Sequence, residues 1–497
     1  FYKFPMHDKR SPLPSRSDQS YGPPMKHGHG KTRSKLKRMA VAMTLIGIFL
    51  AFVCLKRIET EPYFTREYYA RSTGSLSRLN ADPDLTPTKL LAGAARISIT
   101  PELHGAPNPL ADLPLAGFGA RKGAPAVGVM DEVFVRVLWL QDDRQSSVII
   151  SLDMLIPPPE MIATFRSMVA PRIGLQPDAI YWSASHTHSG PGGWGQGWLP
   201  EAFAGPYEPA FNPWLLERVF ACIEQAHSKL QPVSVATMTS HTENMCRNRL
   251  VGVKGQTDER IHSLFFKSED QLIATLGIFS AHATLVGPSS KSYCGDYPGH
   301  WAESTEQSTG GIALFLAGGV GSHAATPTVK DHDGAIAYGH QLAAITRQHL
   351  DRAVFESKVT LERAETALHL PSPHVRIMGL WRLRPWLAKV LIPTVPSVKL
   401  KALRVGSMLL LGTPCDFSGE LALQLQRSWH QDDLEVVCTS FNGDYIGYVV
   451  PQKYYFLNEY ETQVMGFYGY QTAPYMTECL RRLGSTLAGR HHTLTAP

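Results

Sequence analysis

The chain has 497 residues, 43% of them hydrophobic and 18% charged, which is enough apolar content for one large core or two medium ones and excludes the disordered, collagenous and disulfide-mini-protein classes. The formal net charge is +5, but residues 1–38 hold ten Lys or Arg against two acidic residues, which is +8 and leaves −3 for the rest. The basic signal is therefore a tail and not a nucleic-acid-binding face, and no nucleic acid is expected as a partner.

Residues 1–38 are rich in Pro, Ser and Lys and read as a disordered tail. The sequence opens on Phe and not Met, as a fragment or a processed form would. Residues 39–55, MAVAMTLIGIFLAFVCL, carry no charge, with Lys31, Arg33, Lys35, Lys37 and Arg38 before them and Lys56 and Arg57 after. Seventeen residues is the lower limit for spanning a bilayer, and the denser charge on the N-terminal side predicts a cytoplasmic N-terminus. The expectation is a single-pass membrane protein whose later part is periplasmic or extracellular. A cleaved signal peptide is the rival reading, although no clear small-x-small site follows the run.

Residues 56–89 are polar and read as a stalk between membrane and domain. Strand-like apolar runs follow at 133–140, 147–152, 272–279 and 407–411, separated by helical patterns that include 214–230 and 335–350. This alternation predicts one α/β domain over residues 90–497, built of mixed β-sheets flanked by helices. Seven cysteines without metal-finger spacing define no disulfide framework, leaving one or two bridges open.

The stretch 179–194, AIYWSASHTHSGPGGW, runs a short apolar strand into a loop with His186 and His188, then Gly190, Gly192 and Gly193. In extended chain, residues two apart point to one side, so both imidazoles can face one cavity, and the glycines allow close backbone approach to a ligand.

SASHTHSGPGG resembles the signature loop of the neutral, non-lysosomal ceramidases. In the family's order follow GAARISITP (93–101), SLDML (151–155), Asn248-Arg249, FSAHAT (279–284), CGDYPGH (294–300), TPCDF (413–417), GDYIGY (443–448) and EYE (459–461). The resemblance covers about residues 90–490, the catalytic part. The immunoglobulin-like domain that the family often adds has no counterpart in this sequence.

The resemblance implies a zinc site of His186, His282, Asp416 and Tyr448, with His188, Arg249 and Tyr460 around the scissile amide as hydrogen-bond donors. It further implies hydrolysis of the N-acyl amide of a ceramide-like lipid, giving a fatty acid and a sphingoid base, by metal-activated water. Two rivals keep less of it: a zinc hydrolase of another acyl amide or an ester, and an inactive lipid-binding relative. Asp416 stands where the family carries Glu, and Glu420 is the fallback ligand. The family's G-D-x-S-P segment aligns with Gly321 to Ala325, putting Ala324 at the serine position and Ser322 at the aspartate position. Residues 378–393, MGLWRLRPWLAKVLIP, read either as a lipid-surface segment or as a core segment with snorkelling arginines. Pro385 argues against one continuous helix there.

Overall fold

The computed structural model describes residues 29–79, 83–103, 108–392, 395–429 and 434–488. Two units divide the chain, Phe1–Cys54 and Leu55–Pro497. In the first, the helix α1 (His29–Cys54) contains the 21 residues Ser34–Cys54, which are apolar and long enough to cross a membrane. That is four residues more than the uncharged run, because the helix takes in the basic residues ahead of Met39. Residues 1–28 of the expected tail lie outside the described residues, whereas 29–38 are helical.

The second unit is built on two sheets. Eight strands form the larger: β1 (Leu90–Ser98), β2 (Phe134–Gln141), β3 (Ser146–Leu152), β4 (Ile180–Ala184), β5 (Gln231–His241), β6 (Arg260–Ser268), β7 (Gln271–Phe279) and β8 (Ile312–Ala317). Their order is β8-β7-β6-β5-β1-β2-β3-β4, with β3–β4 and β7–β8 parallel and the other pairs antiparallel. The smaller sheet orders β9 (Leu361–His369), β10 (Ser397–Val405), β11 (Met408–Gly412) and β12 (Glu435–Thr439) consecutively, with β11–β12 parallel.

Alternation of side chains along a strand places the layers. In β2, Leu138 and Leu140 join Leu403, Val405, Met408 and Leu410 in the core between the sheets, while Val135 and Val137 face the helices α3 (Pro159–Ile173) and α4 (Phe211–Ser228). Farther along the same outer face, Phe279 and Phe315 pack under α5 (Asp296–Thr309) and α6 (His332–Leu350). Gly277 in β7 makes room there, since a Cβ would come within 2.3 Å of the Trp301 ring. The smaller sheet turns Leu409 and Leu411 to α7 (Gly419–Arg427) and α8 (Thr472–Ala488). The result is a helix–sheet–sheet–helix layering, the α/β class that the alternating pattern predicts.

The segment 56–89 departs from the expected stalk. Leu55–Arg57 pairs with Trp381–Leu383, and the helix α2 (Glu67–Leu76) lies on the smaller sheet's side of the unit. The Tyr63 and Tyr69 hydroxyls donate to Glu478 at 2.6 and 2.7 Å, and the Ser72 and Tyr475 hydroxyls are 2.5 Å apart. The tyrosines bring apolar rings that a polar average hides. Residues 80–82 lie outside the description, as do 489–497 at the far end.

All seven cysteines are free, and six are buried.

Candidate active site

The large sheet bends until Ser151 Oγ of β3 donates to the Phe315 carbonyl of β8 at 2.5 Å. Loops following distant strands thereby meet. His186 lies two residues past the end of β4, and His282 three residues past β7. Their Nε2 atoms are 3.1 Å apart, and His188 Nε2 lies 3.4 Å from His186 Nε2. A separate device brings Asp416 and Tyr448 together: Asp416–Phe417 and Tyr448–Val449 form a two-residue parallel pair in which these two residues are register partners.

The imidazoles converge by a route other than extended chain. His186 adopts a left-handed conformation, φ 61°, and Phe441, stacked on its ring at 4.4 Å, does so as well, φ 66°. Such strain in non-glycine residues persists where the surroundings over-determine it, and it clusters at functional sites. The glycines serve the protein's own packing. A Cβ on Gly190 would meet the Asp153 carbonyl oxygen at 2.6 Å, and one on Gly192 the Ala204 oxygen at 2.2 Å.

The hydrogen bonds define the tautomers. His186 Nδ1 lies 2.7 Å from the Leu155 carbonyl oxygen and His282 Nδ1 2.8 Å from that of Val320, so each Nδ1 is the donor. Each Nε2 then presents a lone pair inward. Asp416 Oδ1 faces them at 3.3 and 3.5 Å, is buried, and accepts no hydrogen bond among the described residues, while Oδ2 accepts from Tyr445 at 2.8 Å. Tyr448 Oη completes the ring, 3.0 Å from His282 Nε2. Buried acceptors facing one another in this way can hold a cation. Two imidazoles, a carboxylate and a phenol oxygen suit a zinc-class ion. Burial, then the adjoining charges, holds the His188 and His282 imidazoles well below their usual pKa, and for His282 the neutral form is the one that ligation needs.

Arg249 hydrogen-bonds Tyr448 Oη at 3.1 Å and pairs with Glu461 at 2.8 Å. Tyr460 stands edge-on to Tyr448, centroids 5.7 Å apart, with half its surface exposed. All seven residues singled out from the sequence thus fall in one neighbourhood. Glu420, the fallback ligand, is engaged by Lys453 at 2.6 Å and Tyr454 at 3.3 Å. Ala324 lies beside His282, bridged to it in parallel fashion. Ser322 is fully buried, its hydroxyl between His323 Nδ1 at 2.9 Å and Ser418 Oγ at 2.8 Å.

Three contributors escape sequence reading. Tyr445 and Glu461 sit inside the quoted segments GDYIGY and EYE without a mark of their own. Arg121 carries no signal at all, yet it donates to the His188 carbonyl, to Ser189 Oγ at 3.2 Å and to the Ser290 carbonyl at 2.8 Å, clamping the histidine loop.

Next to this cluster lies an apolar cavity of about 240 Å³, lined among others by Trp194, Leu199, Phe203, Ile392, Phe467 and Tyr445.

No family model matches the chain. Among curated proteins, the neutral ceramidase of Pseudomonas aeruginosa is 26% identical over 174 residues, 31% of this chain, and the aligned stretch spans a quarter of that relative's length. Among solved structures, neutral ceramidase from Pseudomonas aeruginosa superposes with a TM-score of 0.66 at 17% identity, covering 80% of this chain and 75% of that one. A ceramidase complexed with C2 superposes with a TM-score of 0.68 at 15% identity, covering 81% and 75%. The chain thus has the fold of the neutral ceramidases, and over the aligned stretch its sequence is similar to that of one of them.

Proposed function

We propose that the chain is a zinc-dependent amide hydrolase that cleaves the N-acyl bond of a ceramide-like lipid, with His186, His282, Asp416 and Tyr448 as metal ligands. The observation that carries this reading is the ring of buried acceptors, above all Asp416 Oδ1 without a donor opposite two Nε2 lone pairs. A zinc ion held there supplies Lewis acidity and activates water near neutral pH. The chain's residues do the rest. Arg249, oriented by Glu461, offers guanidinium N–H groups beside the ligand ring, with Nε buried and without a hydrogen bond among the described residues. His188 and Tyr460 flank the same opening, and donors so arranged stabilise an amide oxygen as it gains charge, an effect of about 3 kcal/mol per donor.

A lipid substrate is supported by the apolar cavity, because Tyr445 both lines it and binds Asp416. An alkyl chain lodged among Trp194, Phe203 and Phe467 leaves its amide end near the ligands. The membrane reading is supported by α1 and by the surface around residues 378–391. There Trp381 and Trp386 are 46% and 55% exposed, while Arg382 is buried and bonded to Glu59 at 3.1 Å, the inverse of a snorkelling core segment. Pro385 opens a short helix, Pro385–Leu391, and the chain beyond it lines the cavity at Ile392 and Val395. An N-terminus in the cytoplasm and a domain outside it complete the proposal, on the charge asymmetry about Met39.

The test is metal analysis of the purified full chain combined with a hydrolysis panel of ceramides, other acyl amides and esters. We expect ceramide cleavage, with His186→Ala and His282→Ala each losing a metal equivalent and at least about 100-fold in activity, and His188→Ala keeping the metal while losing activity. Metal retained in either of the first two variants overturns the ligand set. Cleavage of esters alone moves the substrate class, and lipid binding without turnover favours an inactive relative.

A further inference from the structure

Away from the active site, four donors from three chain segments meet. Asp131 lies just before β2, Cys294 just before α5, His300 on α5 and His332 at the first position of α6. One ligand atom from each lies within 4.8 Å of the others. His332 Nε2 is 3.0 Å from Asp131 Oδ1, and His300 Nε2 is 3.4 Å from Asp131 Oδ2. Close packing aims His300 inward, since a Cβ on Gly339 of α6 would come within 2.6 Å of the His300 Cβ. His300 is 4% exposed, and its Nε2 makes no hydrogen bond among the described residues despite that approach. Cys294 is fully buried, while Asp131 and His332 keep about a quarter of their side chains in solvent, which leaves an ion a way in.

We infer that Asp131, Cys294, His300 and His332 form a second, structural metal site for a zinc-class divalent ion. An ion pair of Asp131 with His332 leaves a buried thiol and a second imidazole gathered on the same carboxylate, with His300 Nε2 3.4 Å from Asp131 Oδ2, too far for a well-made hydrogen bond. Thiolate, two imidazoles and one carboxylate form the four-coordinate set of a closed zinc site, and the sulfur and nitrogen donors disfavour calcium or magnesium. On binding, the Cys294 thiol gives up its proton to solvent and its sulfur bonds the ion.

The site braces the catalytic loop. Cys294 N donates to the Ser189 carbonyl at 3.1 Å, and Thr187 Oγ1 donates to the Cys294 carbonyl at 2.8 Å. An ion at Cys294 therefore ties the His186–His188 loop to α5 and α6. This inference stands apart from the hydrolase reading.

Cobalt separates the two sites, because only the second has a sulfur ligand. Full-length protein in detergent, stripped of metal and titrated with Co2+, should take up two equivalents and develop a near-ultraviolet thiolate-to-cobalt band. Cys294→Ser and His332→Ala should each lose that band and one equivalent, and His282→Ala should lose one equivalent and keep the band. His332 is partly exposed, so its variant decides the matter if Cys294→Ser does not fold, with thermal melting checking both. A wild-type protein without the band, or a His332→Ala variant with band and stoichiometry unchanged, overturns the inference.

Discussion

Asp is one methylene shorter than the Glu that the family resemblance places there, and the register pairing of Asp416 with Tyr448 is what brings it to the histidines. Glu420 has the longer arm but spends its carboxylate on Lys453. Asp416→Ala should therefore abolish metal binding at the active site while Glu420→Ala retains it, read as metal content; the reverse pattern would transfer the ligand to Glu420. The serine question is tested at the same scale. Ala324 has no hydroxyl to offer, and the Ser322 hydroxyl is buried between His323 and Ser418. Ser322→Ala should keep at least about a tenth of wild-type turnover, with no acylated serine found by mass spectrometry and no burst phase. An acyl adduct on Ser322 would reverse that conclusion.

Between elements, the contact most open to test ties α3 to the smaller sheet. Arg166 of α3 grips Glu365 of β9 with two nitrogens, at 2.8 and 3.2 Å, and Lys401 of β10 adds a third contact at 3.0 Å. Burial alone would raise the Glu365 pKa, but Lys401 and Arg166 outweigh it and bring it from 4.5 to about 2; burial of the Lys401 ammonium works the other way on Lys401 itself. A carboxylate depressed by folding contributes stability that is fully present above its unfolded pKa and is lost as pH falls through the folded one. The contribution, about 3 kcal/mol, should thus disappear between about pH 4.5 and about pH 2. Glu365→Gln should destabilise by about 3 kcal/mol at neutral pH, because it strands Lys401 and Arg166, and should flatten that acid limb in denaturant titrations. An unchanged limb would mean that the network contributes nothing.

For the whole molecule, the proposed function requires that a lipid in a bilayer reach a buried site. Of the exposed tryptophans, Trp381 opens the strand Trp381–Leu383 and Trp386 follows it, and the strand's partner Leu55–Arg57 directly follows α1 in the chain. Substituting Trp381 and Trp386 together by Ala should lower kcat/KM for ceramide in vesicles by about tenfold, since interfacial aromatics anchor at the headgroup level, and leave a soluble short-chain substrate within about twofold. Equal losses on both substrates would assign the pair to folding. Protease added to intact cells should digest the domain beyond residue 56 and spare the tail; protection of the domain would refute the proposed orientation.

Local pattern was enough for much of this protein. The apolar runs that became β2, β3, β7 and β11 and the periodic stretches inside α4 and α6 were legible because burial on one or both faces leaves a period in the sequence. The histidine pair of the loop at 186–188 and the segments around His282, Asp416 and Tyr448 were legible through family resemblance. The tertiary structure alone decided what depends on residues far apart in sequence. It folded the expected stalk onto α8 through Tyr63 and Tyr69, turned Arg382 inward and the tryptophans outward, and gave the glycines at 190 and 192 to backbone packing instead of a ligand. It also gathered Asp131, Cys294, His300 and His332 from segments up to two hundred residues apart. No local period records such meetings, because they are set by how a sheet bends and which helices it carries, and those are properties of packing that a linear pattern does not contain.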